Sequence, residues 1–429
     1  MTVEGGWSDL DRVALQTVGC KLNQAETESL ARKFLEAGYQ VVAPDHAADI
    51  YLLNTCTVTH VADRKCRNLL RMAHRNNPRA LIVATGCYAE RAAADIDRIE
   101  GVGLVIGNQD KERSVDIIAA EFNGHEPRKR VIPHSLPFRT RAQVKIQEGC
   151  GRHCSFCVVP QIRGRERSRP REDVVAEVKA RAADGYKEVI LTGTRIGSYG
   201  HEGGLRELIG LILAESDVPR LRLSSLEPRD LTSDLLRLWE HSRLCPHIHL
   251  PLQSGSDSVL ERMGRTYSTA DYRSAVSLAR EAIPNLALTT DIMVGFPGET
   301  EEEFYDSYRF CEHTGFANMH VFPYSARPRT RAAQMPEMVK DVDKKRRSQL
   351  MLDLARRNGQ RFREQFLGQN MNVLWEEKKD RTWLGLTDNY LRVFLSSPAM
   401  LANQLQSANL VALHDGGLRG ELITRECES

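Results

Sequence analysis

The chain has 429 residues, of which 41% are hydrophobic and 27% charged, with a formal net charge of +2. That length allows two or three domains with cores of their own, and the composition is that of a soluble globular protein. It excludes helices that cross a bilayer, because no apolar run approaches the ~20 residues required. The acidic N-terminus MTVEGGWSDLDR also lacks the apolar stretch of a secretory signal. The expected location is the cytoplasm, where the ten cysteines point to metal binding or catalysis before disulfides.

Residues 10–123 alternate strand-like and helical runs. RVALQTV is a predicted strand, followed by the amphipathic helix NQAETESLARKFLEAG. ADIYLLN is a second strand, followed by a polar helix through Arg71. ALIVAT is a third, followed by the helix AERAAADIDRIE, and LVIG and a last helix close the unit. Such alternation predicts an α/β domain with an open parallel sheet flanked by helices. Cys20, Cys56 and Cys87 each fall just past the C-terminal end of one of these strands. In an open α/β sheet those ends converge on the crevice where ligands bind. Three thiolates there could hold an iron–sulfur cluster with one iron left open. The alternative is three buried core cysteines, which are common, but those would be expected within strands. Cys66, Cys245, Cys311 and Cys427 lack the placement and read as structural or incidental.

The stretch NGHEPRKRVIPHSLPF, with Pro127, Pro133 and Pro137, reads as a linker. Residues 138–365 then hold six strand candidates: QVKIQE, KEVILTG, RLRLSS, HIHLPL, ALTTDIMVGF and NMHVFPY. Helical runs separate most of them. Six successive βα units predict a partial (βα)6 barrel with its chemistry at the C-terminal strand ends. Just past the first strand stands EGCGRHCSFC, with Cys150, Cys154 and Cys157 spaced C-x3-C-x2-C. Three thiolates fit three corners of a 4Fe–4S cubane, and the open iron can chelate an amine and a carboxylate. Zinc with His153 as fourth ligand is the competing reading, although a histidine adjacent to Cys154 is awkwardly placed to ligate beside it. Around the rim, Gly193, Glu227, Gln253, Ser254 and Asp291 stand near strand ends as candidates for a cofactor pocket. Each could equally be a capping or turn residue.

Residues 366–429 predict a small all-β barrel. MNVLWEEK, WLGLTDNYLRVFL and NLVALHDGGLRGELI are punctuated by Gly385, Asn389 and the Gly416–Gly417 pair. Trp383, Tyr390 and Phe394 interleave with Arg381 and Arg392. That pattern suits stacking of single-stranded nucleic acid and, equally, an ordinary β-core with solvated arginines. Basic residues also cluster at RGRERSRPR (163–171), at KKRR (344–347), and at Arg356, Arg357, Arg361 and Arg363 on one helix. Any one run reads as a solvated face; three together favour an anionic partner such as RNA.

With its two cysteine triads and six-unit barrel, the chain resembles the methylthiotransferases of the radical S-adenosylmethionine superfamily over nearly its whole length. The resemblance implies an N-terminal cluster domain, a radical barrel and a C-terminal RNA-binding β-barrel called TRAM. It implies one 4Fe–4S cluster on Cys150, Cys154 and Cys157 and a second on Cys20, Cys56 and Cys87. S-adenosylmethionine would bind the first and be cleaved to a 5′-deoxyadenosyl radical, while the second would carry the sulfur that another S-adenosylmethionine methylates. Such a radical needs a dry pocket. Three branches differ in substrate: two modify adenosine 37 of tRNA bearing an isopentenyl or a threonylcarbamoyl group, and the third modifies an aspartate of a ribosomal protein.

QTVGCKLNQAETE, NTCTVTHVADRKCR, FRTRAQVKIQEGC and HVFPYSAR look like the threonylcarbamoyl branch. Lys21 and Leu22 stand where the isopentenyl branch has glutamine and methionine and the ribosomal branch a proline. The implied activity is methylthio transfer to carbon 2 of N6-threonylcarbamoyladenosine in the anticodon loop of tRNA. The implied enzyme is a monomer supplied by an electron donor such as flavodoxin or ferredoxin. The alternatives are the same chemistry on N6-isopentenyladenosine tRNA or a ribosomal aspartate, and a non-catalytic zinc-containing RNA-binding protein. One departure stands out: Arg329 occupies a place where the family commonly has glycine. Arginine replaces a positive-φ glycine only at a cost, so a different local turn is expected.

Overall fold

The computed structural model describes residues 11–121 and 140–423. The linker NGHEPRKRVIPHSLPF, Cys427 and the first ten residues lie outside the described residues. The chain divides into two compact units: Met1–Phe138, Glu148–Gly151 and Cys157–Glu166 against Arg139–Gln147, Arg152–Phe156 and Arg167–Ser429.

The first unit runs β1 (Arg12–Thr17), α1 (Lys21–Glu36), β2 (Gln40–Val42), β3 (Ile50–Thr55), α2 (His60–Asn76) and β4 (Leu81–Gly86). It continues with α3 (Cys87–Arg91), α4 (Ala93–Asp97), β5 (Val102–Ile106) and α5 (Ser114–Glu121). Every pairing is parallel, in the order β2-β1-β3-β4-β5. Strand side chains alternate between faces, so this sheet has two cores. Val13, Leu15, Ile50 and Leu52 pack with Leu30, Ala31 and Phe34 of α1. Ala14, Tyr51 and Leu53 pack with Cys66, Leu70 and Ala73 of α2. Strands covered on both faces read as continuous apolar runs, which is why IYLLN was legible. The three-residue edge strand β2 was not foreseen, and the expected helix AERAAADIDRIE is two helices broken at Ala92.

The six expected strands of the barrel are present. β6 (Arg141–Glu148) is followed by α6 (Val159–Arg163), which belongs to the first unit, then β7 (Arg167–Ser168), α7 (Arg171–Ala183), β8 (Glu188–Gly193), α8 (Gly204–Glu215) and β9 (Arg220–Leu223). After α9 (Ser233–Leu236) come β10 (His247–His249), α10 (Asp257–Met263), α11 (Thr269–Ala282), β11 (Ala287–Val294), α12 (Glu301–Thr314) and β12 (Asn318–Pro323). β6, β8 and β9 form one parallel run with β7 at its edge, and β10, β11 and β12 form another. A parallel bridge, Ser225 to His249, joins the two runs. The main core of the six-strand part runs from Val144, Val189 and Leu221 to Ile248, Leu288 and Ile292, with a smaller cluster of Val259, Met263, Met293 and Phe296 beside it. After β12, Arg329 keeps a left-handed φ of 64°. The turn there retains a glycine-like backbone, contrary to the expectation of a rebuilt one.

α13 (Asp341–Glu364) packs on β12 and leads into β13 (Asn370–Lys379), β14 (Thr382–Thr387), β15 (Arg392–Ser396), β16 (Leu405–His414) and β17 (Gly417–Leu422), which close as a barrel. Gly385 lies inside β14 and does not punctuate it; a Cβ there would stand 2.5 Å from the Val373 side chain. Among the described residues no helix is long and apolar enough to cross a membrane.

Candidate active site

Cys20 caps α1 just past β1, Cys56 follows the last residue of β3, and Cys87 opens α3 directly after β4. These three strands are neighbours, and the chain reverses its winding direction between β1 and β3. A parallel sheet opens its ligand crevice at that switch point. Gly19 has φ 111°, and a Cβ on it would lie 2.8 Å from Cys56 Sγ, so the chain can pass that close only as glycine. On α2, the Cys66 sulfur accepts from the Cys56 N–H at 3.5 Å and braces that backbone. Burial pushes the Cys56 thiol up to about 12, and the nearby Cys20 and Cys87 sulfurs add to the rise. Cys20 is exposed by area but densely surrounded, and burial raises its pKa, with Arg163 the largest opposing influence. Thiols at three neighbouring strand ends can share one metal centre, and a bound metal displaces their protons.

A buried polar network adjoins these cysteines. Asn23 of α1 donates to the Val18 and Thr55 carbonyls, each at 2.9 Å, tying together the two strand ends that lead to Cys20 and Cys56. One turn on, Glu26 accepts from Arg163 at 2.6 Å and from Lys111 at 2.7 Å. The sequence reading missed this network. Its signal was Asn23, Glu26 and Thr27 lying on the helix face that Leu30 and Phe34 otherwise make apolar.

Cys150 and Cys157 belong to the first unit and Cys154 to the second. The Cys150 N–H bonds the Gly164 carbonyl at 3.1 Å. Cys154 Sγ lies 3.4 Å from an Arg265 nitrogen. Past β9, Glu227 pairs with Arg152 at 3.0 Å and with Arg195 and Arg265 at 3.3 Å each. A Cβ on Gly193 would come 2.7 Å from the Gln147 carbonyl, so this glycine serves close packing of β8 on β6. Gln253 is buried with a φ of 69°, and among the described residues its Oε1 has no hydrogen-bond partner. Strain and an unmet acceptor in one residue are features that persist at ligand sites. Ser254 is fully buried, its hydroxyl shared with Ser307 at 2.9 Å and the Ser256 N–H at 3.2 Å, so it braces the loop from within. Asp291 accepts near His249 Nε2 at 3.3 Å and His320 Nδ1 at 3.1 Å. Burial opposes its ionisation, but the two imidazoles outweigh burial and hold its pKa well below the usual carboxylate range. Neither histidine was singled out in the sequence, where HIH and NMH look like strand residues only.

Residues 144–311 match the radical SAM superfamily, and residues 12–107 match an uncharacterized protein family, UPF0004. A Bacillus subtilis protein named threonylcarbamoyladenosine tRNA methylthiotransferase MtaB is 37% identical over 405 residues, covering 89% of each chain. An Aquifex aeolicus protein of the same name is 36% identical over 89% of this chain and 96% of its own. The chain belongs to the radical S-adenosylmethionine methylthiotransferase family. A tRNA-2-methylthio-N(6)-dimethylallyladenosine synthase from Endomicrobium trichonymphae is 32% identical over 95% of this chain and 99% of its own. Among solved structures, the radical S-adenosylmethionine methyltransferase TsrM from Kitasatospora setae shares the fold, with a TM-score of 0.57 at 16% identity over 76% of this chain and 77% of that one.

The cofactors of a methylthiotransferase of this family are two 4Fe–4S clusters and S-adenosylmethionine. The Cys20, Cys56 and Cys87 crevice fits one such cluster in donor type and in the glycine cradle beside it. The basic runs of this methylthiotransferase divide between inside and outside, so the solvated-face reading of a single run holds for only part of the first two. Arg163 is buried against Glu26, and Arg347 is buried with its guanidinium 2.7 Å from Glu299. Arg356, Arg357 and Arg361 are exposed. Of the two readings of the aromatic pattern, Trp383 takes the ordinary β-core one. Trp383 is in the barrel core, its indole N–H donating to the Ala399 carbonyl at 2.9 Å. The Tyr390 ring lies 3.8 Å from the Arg222 guanidinium and edge-on to His247. Phe394 is half-buried against His414, while Arg381 and Arg392 are exposed.

Proposed function

We propose that this methylthiotransferase adds a methylthio group to carbon 2 of N6-threonylcarbamoyladenosine at position 37, in the anticodon loop of tRNA. The observation that carries the proposal is a three-cysteine crevice at a switch point in a chain that also holds C-x3-C-x2-C. The names of the relatives from Bacillus subtilis and Aquifex aeolicus support the substrate. Cys150, Cys154 and Cys157 would hold one cluster, and Cys20, Cys56 and Cys87 the other. With S-adenosylmethionine bound, they would supply the radical and the sulfur.

The chain's own residues then have separate tasks. Glu227 is the carboxylate for the cofactor's amine, and Arg152, Arg195 and Arg265 around it offer guanidinium groups to a carboxylate. Gln253 presents its unpartnered Oε1, Gly193 lets β8 close on β6, and Ser254 fixes the loop that carries Gln253. Asp291 orients His320, whose ring is open to solvent. The domain limits that accompany this reading are 10–123 for the cluster domain, 138–365 for the radical barrel and 366–429 for TRAM. A monomer working in the cytoplasm, reduced by flavodoxin or ferredoxin, completes it.

The test is nucleoside mass spectrometry of tRNA from cells lacking the gene and cells with it restored. Loss and return of the 2-methylthio form of N6-threonylcarbamoyladenosine is expected. Loss of a different methylthio nucleoside would retain the chemistry and overturn the substrate.

A further inference from the structure

A carboxylate on the buried face of a helix is costly unless it is paired. Glu26 on α1 meets two cations. Lys111 reaches it from the loop after β5, and Arg163 reaches it from α6, six residues past Cys157. All three side chains are almost fully buried. The Arg163 guanidinium bonds both Glu26 oxygens, at 2.6 and 3.2 Å, and Asn23 Oδ1 at 2.7 Å. That same Asn23 oxygen faces Cys20 Sγ at 4.0 Å. Ile162, next to Arg163, packs with Cys87 and Val158. Glu148 is a second carboxylate in range among the described residues, 3.9 Å from Arg163. A guanidinium is therefore held, bidentate and buried, with Asn23 between it and Cys20 and with its chain neighbour Ile162 against Cys87. A buried ion pair adds little stability over apolar residues of the same shape, so its position beside the sulfurs calls for another role.

We infer that Arg163 is a positioning residue for the second cluster, its fixed positive charge setting the reduction potential of the group held by Cys20, Cys56 and Cys87. A nearby cation favours the more negative, reduced form, most strongly where water is excluded. A guanidinium stays protonated at any working pH, and Glu26 bonds this one at 2.6 Å. The charge is permanent. Glu26 opposes it, so the two residues act on the cluster with opposite signs.

The inference rests on the proposal that these cysteines hold a cluster. It is tested in the full-length Cys150→Ala, Cys154→Ala, Cys157→Ala protein, reconstituted anaerobically so that the crevice alone is loaded. Iron and sulfide are assayed, and the cluster is titrated with sodium dithionite under EPR. Arg163→Met, Arg163→Lys and Glu26→Gln are compared in that background. The parent should carry about four irons. Arg163→Met should lower the midpoint by about 59 mV or more, a tenfold change in a one-electron equilibrium. Glu26→Gln should raise it, and Arg163→Lys should stay near the parent. Unmoved potentials with iron retained overturn the inference and leave the cluster assignment standing. A parent without iron overturns both. If Arg163→Met loses its iron, Glu26→Gln decides, and no rise in its potential overturns the inference.

Discussion

Arg329 and Gln253 are left-handed residues that are not glycine, with φ of 64° and 69°. Such a conformation costs an ordinary side chain on the order of 1 kcal/mol or more. At Arg329 the backbone has kept the shape a glycine would adopt, so Arg329→Gly should raise the melting temperature by about 1–2 °C in calorimetry. A fall would mean that the guanidinium offsets the strain. Gln253 is different, because its strain comes with a buried, unpartnered oxygen. Gln253→Ala keeps the backbone and removes the acceptor. We expect S-adenosylmethionine binding by the reconstituted protein to weaken roughly tenfold in calorimetric titration, the loss of one buried hydrogen bond. Unchanged affinity would remove Gln253 from the pocket. The cysteines were legible because a strand end is a sequence feature and three thiols past three strand ends form a pattern. Arg163 and His320 were not, because what marks them is a tertiary neighbour: Glu26, 137 positions away, and Asp291, 29 positions away.

At the scale of elements, α12 shows how one carboxylate fastens two helices. Thr300 and Glu303 form a capping box, and Glu303 also accepts from Arg262 at 2.7 Å and from Ser258 at 2.6 Å, linking α12 to α10. Burial opposes its charge, yet these hydrogen bonds, with Arg262 foremost, hold its pKa down at about 2. A folded-state pKa below the unfolded value, about 4.3 for glutamate, gives stability that is fully present above that value. It is lost as pH falls through the folded one. Glu303→Gln should therefore destabilise by about 1 kcal/mol at pH 7, a figure kept low for partial solvent screening. In denaturant titrations the gap should hold down to about pH 4.5 and close toward pH 2. A gap that persists unchanged at pH 2 would mean packing, not charge, is responsible. Elements were legible where patterns were long. The six barrel strands each stand between polar stretches, whereas β2 has three residues and no room for periodicity. WLGLTDNYLRVFL reads as one run with Asn389 as its punctuation, but the left-handed residue of the turn between β14 and β15 is Tyr390, with φ of 67°.

For the whole molecule, the question is where RNA meets a chain whose net charge is only +2. Removing Arg163, Arg347, Trp383 and Tyr390 from the candidate surface still leaves exposed cations in every run: Arg165 and Arg167, Lys345 and Arg346, Arg356, Arg357 and Arg361 of α13, and Arg381 and Arg392 of the closing barrel. Arg222 and Tyr390 serve another purpose: with Glu188, 2.7 Å from Arg222, they fasten the small barrel to β8 and β9. Stacking and an ordinary β-core are equal readings of the barrel aromatics in the sequence; with Trp383 in the core, the exposed arginines are the feature to test, and charge has a signature. Each phosphate contact releases bound counterions, so affinity falls with salt at a slope that counts the contacts. Arg381→Ala and Arg392→Ala should each weaken tRNA binding uniformly and reduce the salt slope by about 1, with the melting temperature unmoved. Trp383→Ala should instead cost about 3–5 kcal/mol as a core deletion and abolish binding together with the barrel fold. Fluorescence anisotropy across a salt series, paired with circular dichroism, separates the two. Arginine variants with the parental slope would move the RNA surface off the barrel. A folded Trp383→Ala barrel that binds weakly would return the aromatic side chain to the interface.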